Sequence, residues 1–418
     1  MAVIAIAGFI LWQLAEHQAV ELRSGEPVLR EFMAFYAAGY LLNESPELLY
    51  NPNAFLKTYH ALFPRVPPSK RPLYAHAPFE AVVFQPFARV PYEQALVAWQ
   101  ALSLAVFCAG FTLVWLSTKS LPRNLLPVAL VLAASFQPVA VASILFGQVS
   151  ALTFFWIAVA IWCQRREWDY GSGAALAMCL SKPTLLILLL PMLVIGWRLR
   201  MLVGFIGGGA LLAVASLFLV GWQGCLDYAG MILHFGGQAT AEGHQFAPMS
   251  RYVDLNSFVK MLTGGRGQMA LVVLAVVAAG VVPCLARLWR CAVRGGEVEL
   301  SLAWASTLTW TMLLNLYAPT YDTPVIMLGI LLMVDSLCRA DQRRLPLVPQ
   351  LLFVLLYAVP WIPVVPMGGG KTLQLYTVVL IALGLYQVWL GMRGARGNVN
   401  QGRGISRGLE PLAAPRAG

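Results

Sequence analysis

A few charged and polar residues in this sequence lie where charge is costly, at the ends of long apolar segments. Lys182 stands between two apolar runs, directly before a proline. Asp322 follows Tyr321 at the start of another run, and Gln148 begins a further one. A charge at membrane depth costs a few kcal/mol, and it usually faces the protein interior or a water-filled cavity. A lysine in such a cavity can bind a phosphate group, and a carboxylate can accept a proton.

The long segment of mixed polarity over residues 18–93 supplies three more ionisable candidates. Glu31 lies in the first turn of a helix predicted over 29–42, where the helix dipole tolerates a carboxylate. That helix has no polar face, so we expect it to lie at the membrane interface against the helical core. His76 and Glu80 lie together shortly before the second predicted membrane helix.

Each candidate also has an ordinary structural interpretation, and the sequence leaves both open. Lys182 could reach the aqueous interface from a helix end, and Asp322 could cap the helix that follows it. Glu80 could pair with a neighbouring arginine, while His76 and Gln148 could make ordinary hydrogen bonds.

The composition decides the class of protein. The chain has 418 residues, of which 59% are hydrophobic and 11% are charged, and its mean hydropathy is +0.69. Soluble domains carry about 45–50% apolar and about 25% charged residues. These values exclude a soluble protein, a disordered protein and a nucleic-acid binder. They predict an all-α fold, a polytopic transmembrane helical bundle that is embedded in membrane lipid.

The apolar runs predict about twelve helices, because a span needs about 20 apolar residues. The runs lie at about 2–17, 94–117, 124–146, 148–163, 171–181, 184–197, 201–221, 269–286, 300–316, 323–338, 346–362 and 373–392. The runs 171–181 and 184–197 are too short to span alone, and Pro183 interrupts helix formation between them. We expect a hairpin or a broken pair whose ends meet inside the protein.

Basic residues mark every second short connection, which is the pattern of cytoplasmic loops. The clusters are Lys119/Arg123, Arg165/Arg166, Arg198/Arg200, Arg287/Arg290/Arg294 and Arg339/Arg343/Arg344. This alternation places two sizeable loops, residues 18–93 and 222–268, outside the cytoplasm. It also places a basic tail, residues 393–418, inside, and the composition of that tail predicts disorder. Residues 1–392 form the membrane-embedded domain, although a cleaved signal peptide is an alternative for the first run.

Charge and cysteine content point to no cofactor. The formal net charge of +10 is assigned to the cytoplasmic loops rather than to an acidic partner. The seven cysteines include no CxxC pair and no metal-ligand spacing, so we expect neither a disulfide framework nor a zinc site. No cluster of aspartates suggests a divalent cation.

A series of short motifs, in this order, resembles a known family. The motifs are Glu31 to Gly39, Leu49-Tyr50, His76 to Glu80, Pro86, Trp99, Phe146 to Gln148, Ser181 to Pro183 and Tyr321-Asp322. The chain resembles, over roughly residues 30 to 330, glycosyltransferase family 87 of the GT-C superfamily. That family includes mycobacterial polyprenol-phosphate-mannose-dependent α-mannosyltransferases of the cell envelope.

The resemblance implies a sugar donor carried on a polyprenyl monophosphate and a site on the extracytoplasmic face of the cell membrane, a bacterial inner membrane. It also implies an acidic residue in the first outer loop as general base, which here is Glu31. The family usually has aspartate at this place, and glutamate moves the carboxylate outward by about 1.5 Å. An offset near 1 Å can cost about 100-fold in rate unless the pocket compensates.

The resulting prediction is transfer of a hexose such as mannose from a polyprenyl phosphate to a lipid or glycan acceptor, by single displacement with inversion. Glu31 is the predicted base, and the other candidates are assigned to substrate binding: Lys182, His76, Glu80, Gln148, Tyr321, Asp322 and Arg251. The alternatives are a transporter or flippase of lipid-linked sugars and a non-catalytic protein that binds them. The absence of an obvious internal repeat favours the enzyme.

Overall fold

The computed structural model describes residues 2–23, 31–69, 71–241, 248–294, 296–339 and 345–407. The structure is 79% helical, which confirms the prediction of an all-α protein. Within the described residues the only strands are β1 (Val365–Gly368) and β2 (Lys371–Leu373), which form a small antiparallel hairpin. That hairpin was not predicted.

The helices are numbered in chain order. They are α1 Ala2–Arg23, α2 Phe32–Glu44, α3 Pro52–Leu62, α4 Pro78–Ala81, α5 Tyr92–Ser117, α6 Leu126–Ala134, α7 Ser150–Arg165, α8 Asp169–Ala177, α9 Leu189–Ile195, α10 Leu199–Ala241, α11 Leu255–Thr263, α12 Gly267–Arg294, α13 Glu297–Leu313, α14 Val325–Arg339, α15 Leu347–Ala358 and α16 Leu375–Arg407. A π-helix spans Pro138–Leu145. Short 3-10 turns include Met178–Ser181, Pro183–Leu186, Met249–Arg251 and Thr320–Asp322.

Among the described residues, four helices are long and apolar enough to cross a membrane, which indicates a membrane protein. They are Tyr92–Ser117, Leu199–Leu233, Gly267–Val293 and Leu375–Arg393. A fifth span is formed if Arg123–Ala134 and Pro138–Leu145, which meet at 61°, cross together. Ser150–Arg165, Pro183–Ile195 and Leu347–Trp361 are shorter apolar helices. The count of about twelve helices therefore stays a prediction.

The segments expected to be outer loops contain much helix. Residues 18–93 include the end of α1 and all of α2 and α3. The run that we expected to end at 221 continues in α10 to Ala241, across a kink at Gly221 with φ 70° and ψ 178°. Only glycine adopts that backbone conformation readily. Whether these segments lie outside the cytoplasm stays a prediction, as do the two domain boundaries; α16 continues to Arg407, and 408–418 lie outside the described residues.

Helix α2 is packed into an aromatic core, and Glu31 is its N-cap residue rather than part of its first turn as predicted. Nine residues of α2 are buried, among them Phe32, which is fully enclosed. The Phe32 ring stacks on the fully buried Trp99 of α5, with ring centroids 5.8 Å apart and planes 12° apart. The absence of a polar face on α2 therefore reflects burial on all sides against the helical core.

Several basic connections meet at one end of the bundle. Asp335 of α14 is fully buried and accepts hydrogen bonds from the backbone N–H groups of Lys119 and Ser120. Its second carboxylate oxygen lies 3.3 Å from Arg165 and 2.8 Å from Arg339. We call this group the Asp335 cluster. Three connections that the sequence predicts on the cytoplasmic side, those of Lys119, Arg165 and Arg339, therefore lie close together in space. Arg343 and Arg344 lie outside the described residues.

This grouping generates a test of topology by cysteine labelling, in a background whose seven native cysteines are replaced. A cysteine at Ser69, in the first long segment, is expected to react with an impermeant thiol reagent in intact cells. A cysteine at Glu167, beside the Asp335 cluster, should react only after the cells are permeabilised. The reverse labelling pattern would contradict an extracytoplasmic site.

Candidate active site

The Phe146–Gln148 turn fixes the position of Glu31. The backbone N–H of the next residue, Phe32, donates to the Phe146 carbonyl at 3.4 Å, and Trp99 Nε1 donates to the Gly147 carbonyl at 3.0 Å. Gly147 has φ +72°, and a Cβ there would lie 2.6 Å from Phe32 Cβ. Only glycine fits both the backbone angle and this close approach. The glycine therefore lets the turn dock directly behind the predicted base.

The Glu31 carboxyl is held between a cation and an enclosed space. Its Oε1 atom lies 3.4 Å from Arg251 Nη1, while its Oε2 atom is enclosed and has no hydrogen-bond partner. Burial raises the pKa of Glu31, and the positive charges of Arg251 and Lys182 oppose that rise. A raised pKa makes the carboxylate a better proton acceptor than an exposed one.

Arg251 reaches Glu31 because its segment is tied to the residues before α14. The backbone N–H of Val253 donates to the Ala318 carbonyl at 2.8 Å, and Thr320 Oγ1 donates to the Arg251 carbonyl at 2.8 Å. The fully buried Asp254 accepts a hydrogen bond from the Ala318 N–H at 2.9 Å. Sequence reasoning missed Asp254, whose only signal is its place as the N-cap of α11.

Lys182 and Asp322 form a buried ion pair. Lys182 Nζ lies 2.5 Å from Asp322 Oδ1 and donates to Ser150 Oγ at 3.0 Å, and Ser150 in turn donates to Asp322 Oδ1 at 2.7 Å. The Lys182 and Asp322 side chains are only 8% and 4% exposed. The Lys182 ammonium also lies 4.8 Å from the centre of the Tyr321 ring. Neither residue is therefore a simple helix-end group, and Ser150 is a partner that sequence reasoning missed.

The predicted break at Lys182 is present. The 3-10 turns Met178–Ser181 and Pro183–Leu186 meet at this residue, whose φ of −132° and ψ of 71° are not helical. The interruption brings the ammonium group to the start of α7, where Ser150 lies. The broken pair thus ends inside the protein, as its short apolar runs predicted.

Glu31 and Arg251 line a cavity of about 360 Å³, a volume within the usual range for small-ligand pockets, about 300–1,000 Å³. Its other lining residues are Gln137, Val141, Ala142, Phe146, Ser250, Thr320, Tyr321, Val359, Pro360, Ile362, Pro363, Val364, Gln374, Leu375 and Tyr376. Three of the predicted site residues, Glu31, Arg251 and Tyr321, therefore face one space. Sequence reasoning missed the glutamines at 137 and 374.

Five other predicted residues do not line this cavity: Lys182 and Asp322, which form the ion pair described above, and His76, Glu80 and Gln148. His76 Nδ1 lies 2.6 Å from Glu80 Oε2, and both side chains are largely buried. The Tyr50 hydroxyl donates to the His76 carbonyl at 2.6 Å. Gln148 is buried directly after the glycine of the turn, and it too lies away from the cavity lining.

A second, apolar groove of about 550 Å³ lies beside α10. It is lined by Ala77, Pro78, Phe79, Leu180, Pro183, Gly209, Leu212, Ala213, Val214, Ser216, Leu217, Trp222, Cys225 and Tyr228. Pro183 follows Lys182 directly, and Tyr321 of the polar cavity precedes Asp322 directly. The sequence neighbours of the two paired residues thus line the groove and the cavity, while Lys182 and Asp322 themselves line neither.

The cavity offers a carboxyl group and a guanidinium group to a ligand, those of Glu31 and Arg251. These groups can accept a proton and neutralise an anion. Within the described residues no group of three or more His, Cys, Asp or Glu side chains could hold a metal ion. The expectation that no metal is needed stays an expectation.

Comparison with known proteins gives one match. A family model described as glycosyltransferase family 87 matches residues 74–319, more than half of the chain. The matched region contains Lys182 and Arg251, whereas Glu31 lies before it and Asp322 lies after it. No curated protein and no solved structure matches the chain.

The ion pair generates a prediction about stability. Lys182→Met leaves the Asp322 carboxylate buried without its counter-charge, which is expected to cost about 3–5 kcal/mol. Thermal unfolding of the purified protein in detergent would show a clearly lower midpoint. The double variant Lys182→Met/Asp322→Asn removes both charges and should recover most of the loss. A single variant as stable as the wild type would contradict the pairing.

Proposed function

The chain belongs to glycosyltransferase family 87, and on that premise we propose that it transfers a hexose such as mannose from a polyprenyl-phosphate donor to a lipid or glycan acceptor outside the cytoplasm. Transferase activity follows from the family. The donor, the sugar, the acceptor and the side of the membrane are the proposal. The observation that carries it is the Glu31 carboxyl, which is paired with Arg251 at the wall of a cavity.

Glu31 serves as the general base in this proposal. The acceptor hydroxyl oxygen attacks the anomeric carbon, and its proton passes to the Glu31 carboxylate. The bond from the anomeric carbon to the phosphate oxygen breaks, and the phosphate leaves with the electron pair. A single displacement of this kind inverts the anomeric configuration. The raised pKa of Glu31 suits it to accept the proton during attack.

Arg251 is the first candidate for holding the donor phosphate. Its side chain is 52% exposed, and a guanidinium group can donate two parallel hydrogen bonds to phosphate oxygens. Lys182 is less available because Asp322 already neutralises it. We therefore assign the first phosphate contact to Arg251. Lys182 and Asp322 would hold Tyr321 in the cavity wall. They would lie on the side of the phosphate opposite Arg251.

The apolar groove beside α10 is the proposed site of the polyprenyl chain. Its lining is almost wholly apolar, and one wall is formed by residues 209–217 of a membrane span. The chain would come from the bilayer, which is itself apolar, so van der Waals packing rather than removal from water would stabilise it there. A chain in the groove would extend past Lys182 and Tyr321, so that its phosphate meets Arg251 and its sugar enters the cavity. His76 and Glu80 adjoin the groove through Ala77 to Phe79, so their proposed role is at the lipid part of the donor.

The base assignment predicts the effect of two substitutions. Glu31→Gln keeps the shape but removes the basicity, so kcat should fall about 10²- to 10⁴-fold, while donor binding and yield persist. Glu31→Asp withdraws the carboxylate from Arg251 and should cost about 100-fold. The measurement is transfer of labelled mannose from polyprenyl-phosphate mannose to extracted membrane acceptors. Near-full activity of Glu31→Gln would remove Glu31 from the mechanism, and loss of expression would indicate a structural role instead.

The pairing of Glu31 with Arg251 predicts a change in pH dependence. A base must be deprotonated to act, so activity should rise with pH through the pKa of Glu31. Arg251 lowers that pKa, and Arg251→Met should therefore move the acidic limb of the kcat profile to higher pH and also raise KM for the donor. Arg266→Met removes an exposed arginine of a nearby loop and is the matched control. An acidic limb that stays in place in Arg251→Met would show that the pair does not set the basicity.

A further inference from the structure

One wall of the cavity that Glu31 and Arg251 line is formed by a break in an apolar span. Helix α6 ends at Ala134, the π-helix begins at Pro138, and the two segments are bent by 61°. Proline has no N–H to donate, so the helical hydrogen bonds cannot run through this point. Irregular backbone at membrane depth is tolerated where it is buried in protein or lines a cavity. Gln137 lies in this break and lines the cavity.

The break itself is built with satisfied polar groups. Ser135 Oγ donates to the Val131 carbonyl at 2.8 Å, and it shares a hydrogen bond with the Tyr357 hydroxyl at 2.7 Å. Phe136 is buried beside the Tyr357 ring. A chain segment anchored in this way places the neighbouring Gln137 firmly.

Gln137 itself is not satisfied. Its Oε1 atom is enclosed and has no hydrogen-bond partner. Enclosing an amide oxygen without a donor costs its desolvation free energy, and native proteins rarely leave such an atom without a reason. Among the described residues that line this cavity, only Gln137 Oε1 and Glu31 Oε2 are enclosed side-chain atoms without a partner.

The other glutamine on the cavity wall provides a contrast. Gln374 Nε2 donates to the Ser250 carbonyl at 2.8 Å, and its Oε1 accepts a hydrogen bond from Thr377 Oγ1 at 2.6 Å. Both polar atoms of the Gln374 amide therefore have partners, and one of these contacts holds the segment that carries Arg251. Gln137 has no such partner for its oxygen, so a structural explanation that suits Gln374 does not suit Gln137.

The unpartnered oxygens select a chemical class of ligand. Both oxygens accept hydrogen bonds, so each needs a ligand group that donates one. An ionised phosphate ester has only acceptor oxygens and therefore does not satisfy them. The hydroxyl groups of a sugar supply donors, and the terminal torsion of a glutamine is soft enough to turn its amide toward them. The cavity therefore divides into an anion-binding side at Arg251 and a hydroxyl-binding side at Glu31 and Gln137.

We propose that Gln137 is a specificity-determining residue whose side-chain amide hydrogen-bonds one hydroxyl group of the transferred hexose. The proposal rests on the proposed function, because it places the sugar in the same cavity as the Glu31 carboxyl. It adds that one particular hydroxyl is recognised from the break between α6 and the π-helix.

The test compares Gln137→Leu with the wild type on a short-chain polyprenyl-phosphate mannose and on its 2-, 3-, 4- and 6-deoxy forms. Loss of one good hydrogen bond is expected to lower kcat/KM about tenfold. The wild type should lose this factor with one particular deoxy donor. With the parent donor, Gln137→Leu should show the same tenfold lower kcat/KM. With that deoxy donor, its kcat/KM should fall no further. Gln137→Met is the second variant, in case leucine impairs folding.

Two results would overturn the proposal. One is a wild type that uses all four deoxy donors as well as the parent. The other is a Gln137→Leu protein that is slower on every donor but keeps the wild-type pattern of preference, as a merely structural residue would produce.

A binding measurement separates this proposal from the proposed function. The measurement is the rise in thermal unfolding midpoint that each donor causes, and it compares Glu31→Gln with the double variant Glu31→Gln/Gln137→Leu. Glu31→Gln should respond less to one particular deoxy donor than to the parent donor. The double variant should respond equally to both. If no donor is ever turned over by the wild type but this pattern of shifts is found, the transfer proposal fails and the assignment of Gln137 stands. If turnover occurs and the pattern is absent, the assignment of Gln137 fails alone.

Discussion

The buried ion pair between Lys182 and Asp322 is the interaction on which the rest of the site depends. Removing both charges from water is expensive, and attraction repays that cost only with close geometry and further hydrogen bonds. Ser150 supplies such a bond to each partner. The pair therefore holds three chain segments together: the break after α8, the start of α7 and the turn before α14. Tyr321 owes its place in the cavity wall to this junction.

The opposite ends of the same helices are tied as firmly. Helix α7 begins at Ser150 beside the ion pair and ends at Arg165 in the Asp335 cluster, about 22.5 Å away at 1.5 Å per residue. Helix α14 likewise follows Asp322 and carries Asp335 near its end. Charged groups thus concentrate at the two ends of these helices, and the buried core between those ends is largely apolar. A transporter would be expected to hold its charges near the bilayer midplane, so this distribution suits an enzyme with its site at one end.

The sequence predicted the parts of the site that depend on local chemistry. A proline after a lysine predicts a broken helix, and a glycine before Gln148 predicts a turn, because both follow from backbone sterics. It could not predict Asp254 or Ser150, since their importance lies in partners more than 30 residues away along the chain. Gln137 was missed for a related reason. Within an apolar run, a single glutamine is distinguished only when the bend and the cavity are seen.

The contact with Arg251 makes the length of the Glu31 side chain matter. The two side chains already meet at 3.4 Å, near the outer limit of an ion pair, so a carboxylate shorter by one methylene would leave the guanidinium alone. In the structure, the positive charge of Arg251 limits the rise in pKa that partial burial causes in the Glu31 carboxyl. A phosphate that engages the same guanidinium would weaken that restraint, and the pKa of Glu31 would rise when the sugar arrives. The Glu31 carboxylate would then be most basic when the donor is bound and its anomeric carbon is open to attack. Removal of the proton from the acceptor hydroxyl would therefore depend on the presence of the donor.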